Sequence, residues 1–118
     1  MAPRVVLLTL LAGIVPAAVG AGDQGASRQR DFGIEVARQG LWREARFRFE
    51  RSLALQPDNA SGLNDLAIAL EQAGEFDKAR EAYEKALKLD PKNVYIQQNY
   101  DLFREADDKR NRKARKKP

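Results

Sequence analysis

The sequence contains neither cysteine nor histidine. Without cysteine the chain has no disulfide bond, no thiolate metal ligand and no thiol nucleophile. Without histidine it lacks the commonest metal ligand and the side chain that most often acts as a general base near neutral pH. The sequence also lacks a glycine-rich loop of the kinds that hold nucleotide phosphates. These absences argue against an enzyme, and we predict no catalytic residue, no metal site and no cofactor.

Charge is unevenly distributed along the 118 residues, a length that suits a single domain. The chain has 21 Lys and Arg against 17 Asp and Glu, a formal net charge of +4. Residues 109–118 read KRNRKARKKP, with seven basic residues and no acidic one. Residues 23–108 have 13 basic and 17 acidic residues, a net charge of −4. We therefore predict a mildly acidic folded body and a basic tail over residues 107–118 that self-repulsion keeps disordered.

One sequence pattern occurs twice in immediate succession, over residues 26–59 and 60–93, and twelve of the aligned positions are identical. Within each copy, apolar residues recur at helical spacing on both sides of a glycine, Gly40 or Gly74. Glycine readily takes the left-handed backbone conformation that closes one helix tightly before the next begins. A proline near the end of each copy cannot continue a helix. Each copy therefore predicts a pair of antiparallel helices.

The periodicity predicts five helices in all. The first four are expected at about residues 27–39, 42–56, 60–73 and 76–89, after a flexible lead-in over residues 22–25. A fifth is expected over residues 94–106, with Asn93 as its N-cap. Its apolar stripe consists of Ile96, Tyr100 and Phe103, widened by Leu102 and Ala106. We interpret this helix as half of a decayed third repeat that covers the apolar end of the second pair.

The two copies resemble the tetratricopeptide repeat family. The resemblance rests on an apolar residue followed by a small one, a turn glycine, a small residue and an aromatic in the second helix, and a closing proline: Phe32-Gly33 and Leu66-Ala67, Gly40 and Gly74, Ala45 and Ala79, Phe49 and Tyr83, Pro57 and Pro91. It implies an all-α solenoid of tetratricopeptide-type helix pairs over residues 26–106, with the small residues where helices pack. It identifies a scaffold for protein interactions rather than a chemistry.

The resemblance also implies where a partner binds. In this family the first helix of each pair lines a concave inner face, and partners usually lie there. The matching residues are Arg30, Ile34, Arg38, Asn64, Ile68, Glu71, Gln72, Tyr95, Gln98, Asn99 and Leu102. An asparagine there can both donate to and accept from an extended peptide backbone. In the alternative interpretation, Ile34 and Ile68 only pack between helices and the polar residues form a solvated face.

One specialised form of this site does not fit the sequence. Some tetratricopeptide domains hold the C-terminal carboxylates of chaperones with a set of Lys, Asn, Asn, Lys and Arg. The matching positions here are Arg30, Ile34, Asp65, Tyr95 and Asn99. Only Arg30 suits a carboxylate, and Asp65 would repel one. We therefore predict that the inner face is not a carboxylate clamp.

The basic tail is a second candidate site. Its cations are Lys109, Arg110, Arg112, Lys113, Arg115, Lys116 and Lys117. They suit anionic lipid head groups, polysaccharide or nucleic acid. An exported protein meets the first two more often than nucleic acid. The alternatives are a tail that only improves solubility and, for the repeats, self-association through the exposed ends of a short array.

Residues 1–21 resemble a signal peptide. Arg4 precedes an apolar run over residues 5–15, Pro16 breaks it, and small residues follow. Cleavage after Gly20 or Ala21 fits, giving a secreted or periplasmic protein. The alternative is an uncleaved anchor, although the run is shorter than the ~20 residues that cross a bilayer. We expect an exported adaptor that binds a protein or peptide on its inner face, or else a binder of anionic surfaces through its tail.

Overall fold

All regular secondary structure among the described residues is helical, as the two repeats predict. The computed structural model describes the backbone of residues 15–117 and the side chains from Gln24 onward. Its helices are α1 (Val15–Arg38), α2 (Trp42–Leu55), α3 (Ala60–Gln72), α4 (Phe76–Leu89) and α5 (Val94–Arg115). Successive helices pack on one another, α1 on α2, α2 on α3, α3 on α4 and α4 on α5. The predicted all-α, tetratricopeptide-type solenoid is therefore confirmed.

The turn and cap residues act as the sequence predicts. Gly40 has φ 78° and Gly74 has φ 81°, a left-handed conformation that strains other residues. Asn59 accepts a hydrogen bond from the backbone N–H of Gly62 at the start of α3. Asn93 accepts two, from Tyr95 and Ile96, at the start of α5. Each asparagine thus satisfies backbone donors that a helix start leaves without an intrahelical acceptor.

Small residues lie where the helices approach most closely. Ala45, Ala67 and Ala79 are fully buried, and the two repeat aromatics pack beside them. Phe49 is 3% exposed and Tyr83 is 1% exposed. In each pair, residues of both helices therefore pack in one cluster with the repeat aromatic, and the small residues lie where the helices meet, as the resemblance implies.

Equivalent arginines join each unit to the next. Arg46 on α2 donates a hydrogen bond to Glu75 at the start of α4. Arg80, at the equivalent position of the second repeat, donates to Asp107 on α5. Asp107 is 4% exposed and also accepts a hydrogen bond from Arg110. An inter-unit ion pair from the same arginine position therefore recurs between α4 and the additional helix, with an acidic partner at a different position.

Two predictions about the ends of the domain were wrong. Residues 22–25 are not a flexible lead-in but part of α1, where Gly25 lies against Leu55 at the end of α2. The fifth helix does not end at residue 106, and residues 107–115 of the tail are helical. Asp107 fixes this stretch to α4, and basic residues near a helix C-terminus interact favourably with the helix dipole.

A third correction concerns Leu102, which does not widen the buried stripe of α5. It is 62% exposed, whereas Ile96 and Phe103 are buried. The helical repeat places Leu102 about one-quarter to one-third of a turn from those two residues. Leu102 therefore faces away from α4, on the side that the resemblance assigns to the inner face.

The signal-peptide interpretation stays a prediction. Residues 1–14 lie outside the described part of the chain, and residues 15–21 begin α1. None of the helices that the structure describes is both long and apolar enough to cross a membrane.

Candidate functional site

An apolar hollow, here called the inner hollow, lies between α1 and α3, with α2 beneath it. Its volume is about 240 Å³. Its lining residues are Ile34, Ala37, Arg38, Trp42, Phe49, Asp65 and Ile68. Ile34 and Ile68 are half-buried, and each packs on the core with one side while the other lines the hollow. The two interpretations of these isoleucines are therefore compatible.

Two aromatic residues of α2 complete the inner hollow, and neither was predicted as a site residue. Trp42 opens α2 and packs on the same core cluster as Ile34 and Ala37, while Phe49 lies two turns further along the same face of α2. Phe49 matches Tyr83 in the repeat pattern, and this match predicts only a packing role for Phe49. The sequence feature that could have indicated a site was the large indole of Trp42 at the first position of α2, two residues after the turn glycine Gly40.

Arg30 is held by an ion pair across the inner face. Its Nε lies 2.6 Å from Asp65 Oδ2, so α1 is bonded to α3 beside the inner hollow. Burial raises the pKa of the Asp65 carboxyl above its ordinary value, and the hydrogen bond and charge of Arg30 oppose that rise. The guanidinium that best suits a ligand carboxylate is therefore already paired with a carboxylate of the protein.

Three further predicted site residues link helices. Asn99 on α5 donates a hydrogen bond to Asn64 on α3, over 3.2 Å. Glu71 on α3 accepts a hydrogen bond from the Tyr83 hydroxyl over 3.0 Å. Burial and the Glu71 carboxylate both raise the pKa of Tyr83 above its ordinary value. These groups hold α3, α4 and α5 in place along the inner face.

The remaining predicted residues of the inner face are exposed. They are Arg38, Gln72, Tyr95 and Gln98, together with Leu102. Tyr95 is 79% exposed, a high value for a large aromatic side chain. Ile34, Ile68 and Leu102 recur at the repeat period and so occupy equivalent positions on α1, α3 and α5. An apolar residue therefore recurs on this face at every step of the array.

The predicted tail cations separate into two kinds. Arg110 belongs to the folded body, because its guanidinium lies 3.4 Å from the centroid of the Phe76 ring and donates to Asp107. The others are exposed: Lys109, Arg112, Lys113, Arg115, Lys116 and Lys117. Among residues 15–117, no group of three or more carboxylates is arranged to hold a metal ion.

Comparison with known families identifies the repeats. The family model described as tetratricopeptide repeat matches residues 30–94, which is more than half of the chain. No curated protein matches the sequence. Repeats of this family are typically non-catalytic scaffolds for protein–protein interaction. The chain therefore belongs to the tetratricopeptide repeat family.

Proposed function

We propose that this protein is a non-catalytic adaptor that binds a segment of a partner protein across the inner face of its repeats. The inner hollow is the observation that carries the proposal. A cavity of about 150 Å³ is enough to bind benzene, so a hollow of about 240 Å³ has room for one large apolar side chain. Burial of one such side chain contributes roughly 1.5–3 kcal/mol to binding.

The residues around the inner hollow suit a peptide rather than a small apolar molecule. Arg38 is exposed at its edge, and Gln98 carries an exposed amide group further along the inner face, on α5. An amide side chain offers both a donor and an acceptor, which matches the N–H and C=O of an extended backbone. The apolar residue supplies the anchor, and the polar residues fix the direction of the bound segment.

The test begins with a peptide selected on the full chain from a random library displayed on phage. Its affinity is then measured by fluorescence anisotropy for the wild type and for Ile68→Lys. We expect the substitution to weaken binding at least tenfold, about 1.4 kcal/mol, because an ammonium group in the inner hollow must be desolvated. The lysine stem can lie where the isoleucine was with its charge in water, which limits the effect on folding.

Leu89→Lys is the matched control. Leu89 is 42% exposed at the end of α4, outside the inner hollow, and the charge change is the same. This variant should bind the peptide as the wild type does. The proposal fails if the two variants bind the peptide equally well while both keep the wild-type helical circular dichroism.

The N-terminal residues support a location for this adaptor outside the cytosol. The short apolar run, the break at Pro16 and the small residues after it suit export with cleavage after Gly20 or Ala21. Such a protein would meet its partner in the periplasm or outside the cell. An uncleaved anchor would place the same inner face at a membrane surface.

A further inference from the structure

The end of α5 extends beyond the body of the protein. Arg110 lies over the ring of Phe76, the first residue of α4, so the residues after Arg110 continue past the end of the adjacent helix. All of residues 111–117 are exposed. This extension over residues 111–117, here called the arm, is fixed at its base, since Asp107 accepts hydrogen bonds both from Arg80 on α4 and from Arg110. The basic segment is thus held in one direction by the fold.

Four of the exposed cations lie on one side of this arm and its base. Lys109, Arg112, Lys113 and Lys116 follow the spacing i, i+3, i+4 and i+7, which places them on a single helical face. We call this set the cation stripe. On average it lies a little more than one-third of a turn from the buried side of α5. The stripe covers seven residue steps, about 10 Å along the helix.

The cation stripe continues the inner face of the repeats. Tyr95, Leu102 and Lys109 are seven residues apart, or two turns, so they share one side of α5. Lys116 follows at the same spacing as the C-cap residue just beyond the end of α5. Leu102 occupies the position equivalent to Ile68, which lines the inner hollow. Lys109 follows Leu102 at about 10 Å along the helix. A segment that lies over Leu102 and follows α5 outward therefore reaches the stripe.

We propose that the cation stripe binds an acidic segment of the same partner whose apolar residue occupies the inner hollow. This inference rests on the proposed function and adds the chemical class of the partner, a peptide with an apolar anchor and a run of Asp or Glu beside it. An extended strand advances about 3.3 Å per residue, so three or four acidic residues match the length of the stripe.

An anionic membrane fits this surface less well. Only four of the six exposed cations share one face, and the carboxylates of Glu105 and Asp108 are exposed at its base. Residues 23–108 have a net charge of −4, which opposes the approach of a flat anionic surface to the body. No aromatic or long aliphatic side chain lies among residues 109–117 to enter a lipid interface. Glu105 is paired with Lys109, whose Nζ lies 3.4 Å from Glu105 Oε1. A narrow acidic segment can meet Arg112, Lys113 and Lys116 beyond these carboxylates and compete with Glu105 for Lys109.

Two probes based on the peptide selected on the inner face test the proposal. One carries four added glutamates and the other four added glutamines, joined through a flexible Gly-Ser linker. We expect the full chain to bind the glutamate probe at least tenfold more tightly at low salt, with the preference reduced at high salt because exposed charges are screened. Replacement of the four stripe cations by Gln should abolish the preference and leave the affinity for the glutamine probe unchanged.

The matched control replaces four exposed cations elsewhere by Gln: Arg28, Lys85, Lys88 and Lys92. It removes the same charge, so it should keep the preference. Equal loss in both variants would show a general effect of net charge and would overturn the proposal. The proposal also fails if the stripe mediates binding to phosphatidylserine vesicles while the two probes bind equally.

A hexaglutamate peptide separates failure of this inference from failure of the inner-face proposal. Added alone, it should shift the backbone amide signals of residues 109–116 in the NMR spectrum and leave those of Ile34 and Ile68 unchanged. Absence of these shifts overturns the proposal that the stripe binds acidic segments, even if the inner face binds its selected peptide. If no peptide binds the inner hollow, the proposed function fails while the hexaglutamate shifts still report on the stripe.

Discussion

Replacement of Gly33 by alanine has two opposite effects on the free energy of unfolding. Gly33 lies within α1, where alanine is favoured over glycine by about 1 kcal/mol. A Cβ at this position, however, would lie 2.6 Å from Cε1 and 2.7 Å from Cδ1 of Phe49. Ordinary carbon–carbon contacts are about 3.5–4.0 Å. The added methyl group therefore needs about 1 Å of extra space between α1 and α2.

The surroundings of Phe49 decide which effect is larger. The ring is 3% exposed and packs in one cluster with Val36, Ala45 and Ala69, so any movement of the ring disturbs that cluster. Overpacking of a well-packed core costs typically about 1–3 kcal/mol. After the gain of about 1 kcal/mol in helix propensity, we expect Gly33→Ala to lower the free energy of unfolding by roughly 1 kcal/mol. The melting temperature should then fall by about 4–8 °C.

Gly25→Ala is the control on the same helix. Its Cβ would lie 3.3 Å from Cδ1 of Leu55, the far end of a flexible and half-exposed side chain that can move. This variant should therefore gain most of the helix propensity, roughly 0.5–1 kcal/mol. Urea unfolding followed by the helical circular dichroism signal measures both variants. If Gly33→Ala is stabilised as much as Gly25→Ala, the close contact between α1 and Phe49 is wrong.

Three further predictions concern the arm, the pH dependence and the N-terminus. Asp107→Ala should lower the free energy of unfolding by about 1–3 kcal/mol, because Arg80 loses a charged hydrogen bond, and it should reduce the helical signal; an unchanged urea midpoint and helicity would contradict the role of Asp107. Burial raises the folded-state pKa of Asp65, so its stabilising contribution is present below the ordinary Asp range and is lost as the pH rises through the folded value. The unfolding free energy of the wild type relative to Asp65→Asn should therefore fall with rising pH across that range, and an increase would refute the sign. Intact mass measurement of the protein from its native host should place the mature N-terminus at Ala21 or Gly22, and a retained first residue would contradict cleavage.

The repeated part of the fold could be predicted because its signals are local. Gly40 and Gly74 mark the turns, and Asn59 and Asn93 cap the helices that follow, so the helix bounds within the repeats differ from prediction by one residue or less, apart from the start of α1. Each of these residues acts on backbone within a few positions of itself. A single sequence contains that information directly.

The ends of the domain could not be predicted from local signals. By its composition, the run of cations after Asp107 predicts a disordered segment. The ion pair that fixes its base joins Asp107 to Arg80, which lies far earlier in the chain, on α4. The two glycines at residues 22 and 25 likewise suggested a flexible segment, whereas Leu55 on α2 lies beside Gly25 and α1 runs through both. In both cases contacts between helices outweigh the local preference.

The candidate site was predicted in part. The repeat period placed Ile34 and Ile68 at equivalent positions, and both line the same hollow. The contribution of Trp42 was missed, because its spacing at the start of α2 is equally typical of packing. The engagement of Arg30 by Asp65 also depends on the distance between α1 and α3, which the sequence pattern does not give.

Contacts between the selected peptide and isoleucine methyl groups test the central claim most directly. The full chain contains four isoleucines, including Ile34 and Ile68 on the inner hollow and Ile96, which is 2% exposed on the buried side of α5. With methyl-labelled isoleucine, nuclear Overhauser effects report which methyl groups lie near the bound peptide. We expect cross-peaks from an apolar peptide side chain to Ile34 and Ile68 and none to Ile96. A bound peptide that gives no cross-peak to either Ile34 or Ile68 would contradict binding at the inner face.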